Sequence, residues 1–315
     1  MVKANETFVW NGQKPWDGIG QHINNDMTTT EMMNAAKLNW EVEPKQTYFE
    51  TDKGRVATKQ YALVRDDEPD QALTFIPEKN WHILQNSDMF AFFEKYIESR
   101  QLRLLSAGSL KGGRLVWVMA EVGDLQEIYK NDVFQNNVLF TLPHLYGKAI
   151  DIRQTPLRIS CNNMISLALG RNNKHLTIRC DHRQKFDAEV VQHALGMADV
   201  QFKELRETAH ILANRVYTQD LLEEYLQDVF PKISTDSEKE HTLSKPAMTV
   251  LKYMDEQPGA EHAYGTWWQA VQAVTFSTNH IFGQSAETRL ASQWYGSNQR
   301  VNVESITKAL EYSRK

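Results

Sequence analysis

The order of elements along this chain predicts an α+β fold, and three observations carry that reading. A short capped helix is followed by three strand-like runs and then by a strongly amphipathic helix. A glycine-centred hairpin pattern comes next, and long helical periodicity fills much of the second half. The chain has 315 residues, 41% of them hydrophobic and 24% charged, which is enough apolar side chain for a real core.

Taken in order, residues 1–26 read as irregular, broken by Asn11-Gly12, Pro15, Gly18 and Gly20. Thr28 and Glu31 form a capping-box pair that starts a helix running to about Lys37. Strand candidates follow at Trp40–Phe49, Arg55–Arg65 and Leu73–Ile83, the last interrupted near Pro77. The turn before the third is Asp66-Asp67-Glu68-Pro69-Asp70. Asn86 or Ser87 caps a helix to Ser99, with Phe90, Phe93, Tyr96 and Ile97 on one stripe. Arg103–Leu110 and Arg114–Val122 form a hairpin around Lys111-Gly112-Gly113. Leu157–Cys161 and His175–Cys180 read as short strands, and Asn163–Leu169 as a helix that Gly170 ends. Helical periodicity runs from Phe186 to Val229. The expected organisation is a core domain at 1–231, a polar linker at 232–246 and a small helical module at 247–315.

Charge is distributed unevenly. Between Gly147 and Lys185 lie Lys148, Arg153, Arg158, Arg171, Lys174, Arg179, Arg183 and Lys185 against Asp151 and Asp181, a net +6. Taking that from the total of −5 leaves −11 for the rest. Arg100–Val118 adds Arg100, Arg103, Lys111 and Arg114 with no carboxylate. Such concentration points to an anionic partner, or to a subunit interface matched by acid elsewhere. No apolar run approaches the roughly 20 residues that span a bilayer. Met1–Trp10 lacks the basic-then-apolar form of a secretory signal, so a cytoplasmic protein is expected.

Several motifs invite chemistry. Gly108–Arg114 resembles a phosphate loop in composition but fails its spacing, and a tight hairpin accounts for it better. Cys161, His175, Cys180 and His182 are zinc ligands by type, without a finger or ribbon spacing. Cys180-Asp181-His182 places a thiol near a base with no oxyanion site beside it. Asp66, Asp67, Glu68 and Asp70 are consecutive, whereas a nuclease metal site needs carboxylates from separate elements. No cofactor is expected. Trp81, Tyr61 and Trp117 are candidates to stack bases. Lys111, Arg114, Arg153, Arg158, Arg171, Lys174, Arg179, Arg183 and Lys185 are the candidate nucleic-acid-binding residues, because arginine's planar fork matches phosphate. Arg158 and Arg179 would line one groove if their strands paired.

The chain resembles the phage/plasmid-like proteins, an uncharacterised domain family common in prophages, phages and plasmids. The stretches that carry the likeness include Pro15–Gly20, Leu38–Val42, Tyr61–Asp67, Leu84–Ser87 and Ala107–Arg114. More distinctive are Thr155-Pro156-Leu157-Arg158-Ile159-Ser160-Cys161-Asn162-Asn163 with Leu167–Leu169, and Gly265-Thr266-Trp267 with Ala270, Ala273–Thr275, His280 and Arg289–Ser292. Phe75–Asn80 departs from the glycine-rich approach usual there. The resemblance implies a mobile-element protein inside a bacterial cell and brings no catalytic motif. More remotely, helix–three strands–helix is similar to the core of single-strand annealing proteins of phage recombination.

The leading expectation is therefore single-stranded DNA binding and annealing in recombination or replication. The partners would be single-stranded DNA, further copies of the chain, and a phage exonuclease or replication protein, with no membrane. If all eight island cations met phosphates, the log–log salt slope would be about −6. One alternative is an oligomeric interaction module, with the acidic stretch Asp187–Glu240 pairing with a neighbour's basic island. Another is a metal-dependent nuclease.

Overall fold

A computed structural model describes residues 8–12, 20–23, 27–77, 81–98, 102–164, 177–183, 186, 188–232 and 243–315. The fold is α+β. The strands are β1 (Phe8–Asn11), β2 (Gln21–Ile23), β3 (Val42–Thr51), β4 (Gly54–Arg65), β5 (Ala72–Pro77), β6 (Leu102–Leu110) and β7 (Leu115–Val122). They continue with β8 (Gln126–Tyr129), β9 (Asp132–Gln135), β10 (Asn137–Pro143), β11 (Ile150–Gln154), β12 (Leu157–Arg158), β13 (Asn163–Met164) and β14 (Thr177–Cys180). The helices are α1 (Thr29–Ala35), α2 (Asn86–Glu98), α3 (Ala188–Ala213), α4 (Gln219–Val229), α5 (Lys245–Glu256), α6 (Trp267–Phe276), α7 (Ala286–Tyr295) and α8 (Ser297–Tyr312).

A seven-stranded sheet in the order β14-β11-β10-β7-β6-β1-β2 is the centre of the molecule. Its strands pair antiparallel except β1 with β2. β7 is buried on both faces because alternate side chains enter two different cores. Val116, Val118 and Ala120 pack with Met32, Met89, Phe90 and Phe93 of α1 and α2. Leu115, Trp117 and Met119 pack instead with Leu290 and Trp294 of α7. Trp117 and Trp294 meet edge to face with ring centroids 5.3 Å apart.

The capping box at Thr28 and Glu31 forms as expected, and α2 buries Phe90 and Phe93, but Asn86 and Ser87 lie inside α2 and do not cap it, because the Asn86 amide donates instead to the Leu38 and Trp40 carbonyls. The expected strands at residues 40–83 form the separate sheet β3-β4-β5, whose third member stops at Pro77. The far half of the β3–β4 ribbon extends beyond β5 and exposes Tyr48, Phe49 and Val56. The Lys111-Gly112-Gly113 hairpin also forms, with Leu110 opposite Leu115 and positive φ at all three turn residues. Gly113, at φ +85°, sits where a Cβ would come 3.1 Å from Trp40 and 3.2 Å from Arg65. Only glycine combines that backbone with that close approach.

Three expectations need correction. Asn163–Met164 is strand rather than the start of a helix, because its backbone pairs with Leu157–Arg158; the remainder of 163–169, with Gly170, lies outside the described residues. The long periodicity at 186–229 is two helices, separated where Asn214 and Thr218 bond local backbone. The strands that carry Arg158 and Arg179 do not pair. β12 belongs to the four-stranded sheet β13-β12-β9-β8, whereas β14 is the edge of the large sheet beside β11.

The residues on either side of the expected 232–246 linker share one core. It joins Ile128, Tyr129 and Phe134 of β8–β9 to α3 and α4, and to Val250, Trp267, Trp268, Val271 and Ile306 of the C-terminal helices. α6 is buried nearly all round, including Gln269, Gln272 and Thr275, so it has partners on every side. No helix among the described residues is long and apolar enough to cross a membrane.

Candidate nucleic-acid interface

The candidate cations divide into an interior group and a rim group. Arg158 is interior. Its side chain is 1% exposed, its Nε donates to Asp132 Oδ1 at 2.6 Å, and its Nη2 donates to the Gly259 carbonyl at 2.8 Å. Asp132, itself fully buried, also accepts from Trp268 Nε1 at 2.9 Å. Gly259 has φ +80°, and a Cβ there would lie 2.5 Å from Ser160 Oγ. The Arg158–Asp132 pair thus ties β9 and β12 to the loop before α6. Through Asp132 the stretch Thr155–Asn163 is thereby joined to Trp268, the residue after Gly265-Thr266-Trp267. Asn163 and His280 extend it, with His280 Nε2 2.9 Å from Asn163 Oδ1.

Arg153 is also interior. It bonds Asp151 through Nε and donates from Nη1 to the Trp294 carbonyl at 2.9 Å. Asp151 accepts in addition from Arg179 Nε at 3.3 Å. Arg179 lies at the sheet edge and is 63% exposed. Arg171, Lys174 and Lys185 lie outside the described residues. The uninterrupted track expected from the island's arginines is therefore broken at Arg153 and Arg158, whose charges face the protein's own carboxylates.

The rim group is positioned by strand register. Leu110 opposes Leu115, Leu115 opposes Pro143, and Ile150 opposes Cys180, so the ends of five strands lie along one side of the sheet. With roughly 4.8 Å between neighbouring strands, β6 to β14 spans about 19 Å. The connections at this end carry Lys111, Arg114, Tyr146, Lys148 and Arg183, all exposed. Arg114 Nη2 reaches the Ala72 carbonyl at 3.4 Å, and Arg183 pairs with Asp181 at 3.2 Å while remaining 74% exposed. Lys148 is one of the eight island cations read from the sequence but is not among the nine candidate binding residues, and Tyr146 is in neither group. The glycine of Gly147 between them is the signal that marks a turn.

Aromatic rings stand beside these cations. Trp81 stacks on His182 with centroids 4.3 Å apart and planes 9° apart, and Tyr146 lies 5.6 Å from Trp81. His182 Nδ1 faces the His82 carbonyl at 3.2 Å, and burial lowers its pKa. The neighbouring His144 is pushed down to about 3 by burial and by His182; its Nε2 meets Asn86 Oδ1 at 3.0 Å. Of the other stacking candidates, Trp117 is fully buried and Tyr61 half-buried.

Two clefts open at this end, one on each face of the sheet. A cleft of about 540 Å³ is lined by Trp81, Leu84, Asp88, Ile150, His182 and Phe186. A second, of about 380 Å³, lies between Lys111, Leu115, Pro143 and Lys148 on one side and Ala291, Ser292 and Tyr295 on the other.

The alternative chemistries find other uses for their residues. Burial raises the pKa of the Cys161 thiol, which disfavours a thiolate. Asp67 pairs with Arg65, and Asp66 Oδ1 accepts from the Glu41 amide. Among the described residues, no group of three or more His, Cys, Asp or Glu side chains is placed to hold a metal ion; His175 lies outside them.

No curated protein and no solved structure matches the chain. A family model does match, over residues 76–300, more than two thirds of the length and including both the sheet end and the Arg158–Asp132 tie. By that match the chain belongs to the family described as a domain of unknown function, DUF932.

Proposed function

We propose that the chain binds single-stranded DNA across this end of the large sheet, and that it serves strand annealing in the recombination or replication of a phage or plasmid. The carrying observation is that Lys111, Arg114, Lys148 and Arg183 stand on the connections at one end of five neighbouring strands, a strand-to-strand span of roughly 19 Å, with Tyr146 and the Trp81–His182 stack on or against the same connections. Cations offset phosphate repulsion, released counterions supply free energy, and the exposed Tyr146 ring beside the half-buried Trp81 accepts a base from a strand that is not paired. Annealing needs no bond-making by the protein, only bases left open to a second strand. Several copies side by side would lengthen the track, and an exonuclease or replication protein would deliver the strand. Counting only the four rim cations Lys111, Arg114, Lys148 and Arg183, the expected log–log salt slope is about −3. Fluorescence anisotropy of a labelled oligonucleotide at several salt concentrations tests this. A slope near zero removes the proposal.

A second reading is an oligomeric interaction module without DNA. It is favoured by the ribbon of β3 and β4, which exposes Tyr48, Phe49 and Val56 beyond the edge of β5. Gel filtration with and without oligonucleotide separates the two. A complex that forms without DNA and does not shift on adding it supports the second.

A further inference from the structure

The smaller cleft differs from the larger one in chemistry. Its volume of about 380 Å³ suits one small molecule and is too little for a length of strand. Lys111 and Lys148 line it, and none of its lining residues is a carboxylate. Thr288, Ser292 and Ser297 add hydroxyl groups at the α7–α8 side. Leu115, Pro143, Leu145 and Ala291 supply an apolar wall.

The ground behind the cleft is also positive. The Tyr295 ring has Lys148 Nζ 5.9 Å from its centroid and the Arg153 guanidinium 5.5 Å from it. Arg153 and Arg179 share the single carboxylate of Asp151, so two guanidiniums are balanced by one acid. Burial keeps the Tyr295 phenol neutral, since it raises the pKa, and the hydroxyl is tied to Thr141. Arg153 is buried, and buried charge is screened less than charge in open water.

We infer that this cleft holds a single nucleotide, with its phosphate on Lys111 and Lys148 and its base or sugar on the apolar wall. The inference rests on the proposed DNA reading and deepens it, because it separates a one-nucleotide subsite from the open track. Lysine suits this role as a compact point charge that meets phosphate from several directions. The nucleotide is either the phosphorylated end of a strand or free in solution, and both present the same chemistry.

Calorimetry on the full chain tests the inference, with 2′-deoxyadenosine 5′-monophosphate, deoxyadenosine and inorganic phosphate as separate probes. The expected result is binding of the nucleotide, with the nucleoside and phosphate each weaker by about tenfold or more. Lys148→Glu and Ala291→Phe should each weaken the nucleotide by a similar factor. Lys148 is exposed, so its variant tests the site even if the filled cleft of Ala291→Phe prevents folding. Arg183→Glu, on a different connection, should weaken oligonucleotide binding and leave the nucleotide unchanged.

Competition by an oligonucleotide only when it carries a 5′-phosphate supports the site and identifies a strand end as its ligand. Nucleotide binding without such competition supports the site and identifies a free nucleotide. Oligonucleotide binding with no nucleotide binding overturns the inference and leaves the DNA reading standing. Nucleotide binding with no oligonucleotide binding overturns the DNA reading alone. Nucleotide binding unaffected by Lys148→Glu overturns the inference, as does phosphate binding as tightly as the nucleotide.

Discussion

Arg158 and Lys148 come from the same basic stretch and lead opposite lives. Arg158 is held inside by Asp132 and the Gly259 carbonyl, where its charge fixes one part of the chain against another. Lys148 stands on the connection between β10 and β11, where its charge is open to a partner. The contrast teaches that a cluster of cations in sequence is not a cluster in space. A strand interior that enters a core must neutralise its arginine, whereas a turn at the sheet end has water to hold its lysine. The same division separates Arg153 from Arg183.

The sharpest way to break the contrast is to remove one half of the interior pair. Arg158→Ala or Asp132→Ala should cost about 3–5 kcal/mol, because each strands the other's charge in the core. Chemical denaturation would read it, and a loss below about 1 kcal/mol would mean that the pair does not fix the fold. The double replacement Arg158→Met with Asp132→Leu should recover part of the loss.

Acid probes the sheet end through His144. Its folded pKa of about 3 lies below the ordinary value of 6.5, so the unfolded chain binds the proton first. Stability from this group is full above pH 6.5 and falls as pH drops from there towards 3, by up to about 1.4 kcal/mol per unit. His182 is shifted in the same direction. His144→Gln should flatten the dependence of the melting midpoint on pH between 6.5 and 4, and an unchanged curve would count against the assignment.

Gly113→Ala should cost roughly 1–2 kcal/mol, since alanine is strained at positive φ and its methyl would press on Trp40. Gly123, also at positive φ but with open space around it, serves as the control and should cost less. The smallest effect on stability is expected at the rim. Lys148→Glu or Arg183→Glu should change stability by no more than about 0.5 kcal/mol. Each should lower the magnitude of the single-strand salt slope by about 0.7. A large loss of stability at the rim, or none in the core, would erase the distinction.

Where local chemistry decides structure, the sequence is legible. Thr28 and Glu31 cap α1 because their side chains satisfy amides three residues apart. Lys111-Gly112-Gly113 turns because glycine accepts positive φ, and β3, β4 and β5 follow from alternating side chains between turn signals. The stretch β8–β11 is much harder to read. β9 runs on into β10 with Asn136 between, and β11 into β12 through Thr155-Pro156, so each ribbon serves two sheets. Asn136, Asn137, Gln154 and Thr155 are buried at that corner, and polar residues in a core obscure the apolar period. Of the site, Lys111, Arg114, Lys148, Arg183 and Trp81 follow from residue type, while Tyr146 and the grouping of all six at one sheet end require the register of β10 and β11.

By itself, the sequence determined the α+β class, the capping box of the first helix, the tight hairpin and the presence of surplus positive charge in the middle of the chain. The tertiary structure alone decided which of those charges face inward. Burial depends on what packs opposite a residue, and for Arg158 that is Asp132 and Gly259, 26 and 101 positions away. A chain read locally records how much charge it carries, but only the folded arrangement sets the solvent and the partner that each charge meets.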